Sequence, residues 1–149
     1  MLDATMPIRS VPQSVVWLGA LGLLPFLCLS LLAFVLSTQT PKIALAAYGA
    51  VILSFLGGVH WGALFSGATI LHNWTTFRLI SGIVPSIIAW MALLLPVNQA
   101  LYGLASALIA MLLFDLWASR RGWLPPWYRL LRVPLSIGAS LACATATLA

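Results

Sequence analysis

The sequence predicts an all-α polytopic membrane protein, a bundle of five transmembrane helices with a cytoplasmic N-terminus and a periplasmic C-terminus. Three observations carry that expectation. Only 6% of the 149 residues are charged, against 62% hydrophobic residues and a mean hydropathy of +1.09. A soluble domain uses about 25% charged residues, so this chain cannot dress a globular surface in water. The apolar residues also fall into five runs, each of about the length that crosses roughly 30 Å of hydrocarbon at 1.5 Å per residue. Finally, the basic residues cluster on one side of those runs.

The first span, 15–37, follows a short tail holding Arg9. It is long enough to cross and no cleavage site follows a short apolar run, so it reads as a retained helix rather than a signal peptide. Thr38-Gln39-Thr40-Pro41 breaks it from the second span, 43–65, and His72-Asn73-Trp74 precedes the third, 77–95. Pro96-Val97-Asn98 opens the fourth, 99–118. Residues 119–132 include Gly122-Trp123-Leu124-Pro125-Pro126-Trp127-Tyr128-Arg129, too apolar for an aqueous loop and too proline-rich for a helix core. They are expected to lie along the inner interface, with Pro126 in the first turn of a short helix from Trp127 toward Arg132. The fifth span, 133–149, is nearly all small residues and is expected to be clasped between other helices or against a partner chain.

Orientation follows from the positive-inside rule. With the N-terminus inside, Arg9, Arg78, Arg120, Arg121, Arg129 and Arg132 are internal and only Lys42 is external. Trp17, Trp61, Trp74, Trp117, Trp123 and Trp127 map to the same inner side, as interfacial indoles do, and Trp90 alone lies outward. The expected address is the bacterial inner (cytoplasmic) membrane. A net charge of +5 with a pI near 10 would suggest nucleic acid in a soluble protein. Here the cations flank apolar runs, so the lipid bilayer is the expected partner and nucleic acid is not.

Two ionisable residues fall inside spans, His60 and Asp115. Such groups face protein or a wet cavity, and they pair. The second and fourth spans run the same way and each opens on Tyr-Gly; His60 lies twelve residues after Tyr48, and Asp115 thirteen after Tyr102. Both therefore sit about 18–20 Å below the same reference level. We expect an intramembrane pair of His60 and Asp115, with Arg78 as candidate third partner. Trp61, Trp117, Trp123, Trp127, Tyr128, Arg129 and Arg132 form the candidate ligand or partner face. Cys28 and Cys143 have no metal-type spacing and read as small hydrophobes. No metal site is expected, and the residues name no cofactor. Pro25 and Pro85 lie inside spans, where each frees a carbonyl that a neighbour must satisfy.

Leu18-Gly19, Gly22-Leu23-Leu24-Pro25-Phe26, Tyr48-Gly49-Ala50 and Ser54-Phe55-Leu56-Gly57-Gly58-Val59-His60-Trp61-Gly62 form one set of motifs. Pro85, Ala89-Trp90, Asp115, Gly122-Trp123-Leu124-Pro125, Trp127-Tyr128 and Leu131-Arg132 continue it. In these the chain resembles the domain of unknown function 3429 family, the transmembrane protein 69-like small integral membrane proteins. That resemblance implies a multi-span inner-membrane protein without an assigned activity.

Catalysis is not expected: two carboxylates, two histidines and two cysteines carry no HExxH, GxSxG, CxxC or P-loop. The expected role is an accessory or scaffold subunit packing against a larger membrane complex or as a homo-oligomer. The alternative is a binder of a hydrophobic small molecule (porphyrin, quinone or lipid) near His60, Trp61 and Asp115.

Overall fold

A computed structural model describes residues 13–66 and 75–149; Arg9 and the His72-Asn73-Trp74 break lie outside the described residues. Within them the chain forms five helices: α1 (Gln13–Leu36), α2 (Gln39–Ser66), α3 (Thr75–Leu93), α4 (Val97–Arg120) and α5 (Pro126–Ala146). Four of them, α1 to α4, are long and apolar enough to cross a membrane. The fifth carries Arg129 and Arg132 in its first two turns, which dilutes its hydropathy.

Helix α1 packs on α2 and α5, α3 on α2 and α4, and α4 on α5, closing a ring. Across the middle of that ring α2 meets α4. Neighbours in sequence run antiparallel. Along α1 and α5, which run parallel, Gly19 lies against Leu131 and Leu135 while Ser30 bonds Thr145 at 3.2 Å. The five arginines among the described residues thus gather at one end, and Lys42 lies toward the other.

The core sits on the α2–α4 axis, where Leu45, Leu53, Leu101, Leu104 and Leu108 are fully buried, with Phe26 from α1 and Cys143 from α5. Small residues set how closely the outer helices approach. Ala139, Ala142, Cys143 and Ala146 are buried on α5, and the Ser140 hydroxyl donates to the Ala105 carbonyl at 2.9 Å. The fifth helix is therefore clasped, between α1 and α4. On α2, Ala46, Ala50 and Gly57 are buried whereas Gly58 is exposed. Gly57 lies against Gly82 of α3 so closely that a Cβ there would fall 2.3 Å from the Gly82 carbonyl oxygen. Exposed Leu, Ile, Val and Phe side chains ring the outside, among them Leu31, Val35, Phe55, Ile80, Leu113 and Leu141. Water would not tolerate that surface; lipid requires it.

Pro25, Pro85 and Pro134 all remain inside their helices. Pro25 removes the donor for the Leu21 carbonyl. The Tyr48 hydroxyl donates to the next carbonyl along, Gly22, at 2.8 Å, so a neighbouring helix supplies a bond where the α1 ladder is interrupted.

Residues 119–132 differ from the expected interfacial segment. Ser119 and Arg120 complete α4, and 126–132 are the opening turns of the long helix α5 rather than a separate short helix. The cause is local. Gly122 has φ +74°, its N–H bonds the Ser119 carbonyl at 3.1 Å, and the Trp123 N–H reaches back to Ala118 at 3.0 Å. Those two bonds are the Schellman ending of a helix, with glycine in the left-handed position. Pro125 then serves as N-cap and Pro126 opens α5 at a position whose N–H needs no partner. The chain reverses within five residues, so α5 starts beside the end of α4.

Candidate functional site

Three helices contribute one buried polar cluster. His60 of α2 and Asp115 of α4 are 0% and 1% exposed, and His60 Nε2 lies 2.8 Å from Asp115 Oδ1. The other carboxylate oxygen, Oδ2, accepts from Arg132 Nε of α5 at 2.6 Å. Arg132 is itself 5% exposed. An ionised carboxylate only accepts, so His60 Nε2 is the donor of this bond. The charges of Asp115 and Arg132 cancel across the Arg132–Asp115 contact. That is the form in which ionic groups are tolerated inside a membrane.

His60 and Asp115, at matching distances from the paired Tyr-Gly positions, are thus joined by a hydrogen bond. The third partner is a correction: among the described residues Asp115 is held by Arg132, and Arg78 does not bond it. Arg78 stands at the start of α3 with its guanidinium 5.1 Å from the Trp123 ring centroid. Arg132 reaches Asp115 because the α4–α5 reversal is tight and α5 is helical from Pro126.

The other candidate residues divide into groups. Trp61 donates from its indole N–H to the Leu79 carbonyl at 2.9 Å and seals the α2–α3 contact beside Gly82. Trp117 and Trp123 pack edge to face at 5.0 Å between ring centroids and continue through Phe77 and Phe114, whose ring lies 5.0 Å from that of His60. Arg121 stacks over Trp117 at 5.2 Å. Arg129 is exposed. Of this set, Trp127, Tyr128 and Arg132 line a cleft.

That cleft, of about 390 Å³, lies between α1, α2 and α5. Leu18, Gly22, Phe26, Phe55 and Leu56 make its apolar walls, and Tyr128, Arg132 and Ser136 bring polar groups from α5. These three residues recur every four positions and so share one helix face. Two polar atoms of these residues are buried and without a hydrogen-bond partner: Arg132 Nη2 and Ser136 Oγ. Ser136 is 1% exposed. The sequence reading takes Ser136 only as a small packing residue; the 128/132/136 spacing is the signal that would have placed it here. A second cleft of about 300 Å³, between α2, α3 and α4, has Ser81 as its one hydroxyl. That hydroxyl already donates to the Arg78 carbonyl at 2.8 Å, so it has no proton left for a carbonyl head.

His60, Trp61 and Asp115 do not line the larger cleft. They stand behind it, and Arg132 is the link, with Nε on Asp115 and its remaining buried nitrogen unbonded.

The model of the family Protein of unknown function (DUF3429) matches residues 11–148, and the chain belongs to that family. Transmembrane protein 69 of Xenopus tropicalis is 36% identical over 137 residues, covering 89% of this chain and 53% of that protein. Transmembrane protein 69 of Mus musculus is 27% identical over 135 residues, covering 88% and 54%. The chain thus spans about half the length of the curated relatives it matches. No solved structure matches it.

Proposed function

We propose that this member of the DUF3429 family is a membrane-embedded binder of a hydrophobic small molecule, held in the cleft between α1, α2 and α5. The observation that carries this reading is the cleft itself: about 390 Å³, apolar-walled, with polar side chains on one helix face. Ligand sites combine mostly apolar walls with a few placed polar groups, in volumes of roughly 300–1,000 Å³. The role is binding rather than catalysis. We further place the protein in a bacterial inner membrane, with α5 as a fifth crossing and the N-terminus inside. The gathering of Arg78, Arg120, Arg121, Arg129 and Arg132 at one end of the bundle supports that orientation. The apolar exterior is what lipid contact requires.

Gly22 supplies the test. It lines the cleft, and a Cβ built there meets nothing within 4 Å. Gly22→Leu should therefore fill the cleft without straining α1, since leucine is also a better helix former than glycine. Native mass spectrometry of the protein extracted from its own membranes is expected to show a small-molecule adduct on the wild type. The adduct should be absent from the Gly22→Leu protein at unchanged melting temperature. A stoichiometric larger subunit with no small molecule would favour the accessory-subunit role instead.

A further inference from the structure

We infer that the cleft selects a ligand with a neutral carbonyl head, of the lipid-soluble quinone class, received by Arg132 Nη2 and Ser136 Oγ. This rests on the binding role proposed above and specifies its substrate class. Both atoms are buried and unpartnered, and both belong to residues lining the cleft. Both can donate, and a carbonyl oxygen has two lone pairs to accept. A polar atom left without a partner in such surroundings is destabilising, and an acceptor oxygen would relieve that.

Charge then selects among acceptors. The positive charge of Arg132 is already matched by Asp115, at 2.6 Å from its Nε. A carboxylate or phosphate head would add an unmatched negative charge beside an Asp115–Arg132 pair whose charges already cancel. In a membrane interior that is costly. A neutral carbonyl adds none. Size points the same way: about 390 Å³ has room for a ring and a stretch of tail rather than two acyl chains. Phe26, Trp127 and Tyr128, all on the lining, offer aromatic surfaces to a flat ring.

The test uses the full chain in detergent micelles and isothermal titration with three probes of equal tail length: an alkyl-benzoquinone, an alkyl carboxylate and an alkylbenzene. The quinone should bind saturably and roughly ten-fold or more tightly than either other probe. Ser136→Ala keeps the Asp115–Arg132 pair. It should weaken the quinone about five-fold, the loss of one hydrogen bond, and leave the alkylbenzene and the melting temperature unchanged. A carboxylate that binds as tightly as the quinone overturns the neutral head. An alkylbenzene that binds as tightly, or a Ser136→Ala protein that binds quinone like wild type, overturns the polar selection. In either case loss of all binding in Gly22→Leu would leave the cleft reading standing. If no probe binds saturably, or Gly22→Leu changes nothing, the head assignment and the binding role fall together.

Discussion

Asp115→Ala should be the most damaging single substitution in the protein, costing about 3–5 kcal/mol and sharply lowering the yield of folded protein. Removing the carboxylate leaves Arg132, 5% exposed, as an unmatched charge among apolar side chains. It also takes the acceptor from His60 Nε2 and unties three helices at one point. The pairing itself is not where the energy lies. Interhelical polar contacts in membranes average about 0.6 kcal/mol, so the cost comes from stranding a partner. Asp115→Leu combined with Arg132→Met should therefore recover much of what Asp115→Ala loses. His60→Ala, which leaves the ion pair intact, should cost less than Asp115→Ala. Melting temperatures of the four proteins in one detergent give the comparison. A double variant as unstable as Asp115→Ala would mean that the cluster holds the fold by attraction.

Gly57→Ala should have the next largest effect. Its Cβ would fall 2.3 Å from the Gly82 carbonyl oxygen, and a Cβ on Gly82 would fall 2.3 Å from Trp61 Cδ1. The first obstacle is backbone in the facing helix, so α2 and α3 must separate. Overpacking of this kind costs about 1–3 kcal/mol, and here it also threatens the Trp61–Leu79 hydrogen bond. Gly58→Ala is the control: a Cβ there meets nothing within 4 Å, and helix propensity alone should make it neutral or slightly stabilising. Equal melting temperatures for the two variants would contradict the close α2–α3 contact.

What was legible in the sequence follows from which quantities a helix conserves. Rise per residue is fixed, so counting from Tyr48 and Tyr102 put His60 and Asp115 at one depth, and they do bond. Rotation about the axis is not legible in helices that are apolar all round. Nothing in the run around Gly82 marked it as the partner of Gly57, and the sequence left Gly57 and Gly58 equivalent. The third member of the cluster was misassigned for another reason. By composition alone residues 119–132 are an apolar, proline-rich segment. Their order, Gly122 followed by Pro125 and Pro126, spells a helix stop and an immediate helix start. Read that way, Arg132 falls on the second turn of a helix running back along α4. The cleft was the least legible feature, because it needs the mutual placement of α1, α2 and α5.

The central claim is that this cleft holds a ligand whose head meets Arg132 and Ser136. A high-resolution density map of the protein in nanodiscs made from its own membrane lipids tests it most directly. The account predicts an elongated density between α1, α2 and α5, ending within hydrogen-bond distance of Arg132 Nη2 and Ser136 Oγ. A cleft closed by side chains, with those two atoms bonded to protein, would contradict it.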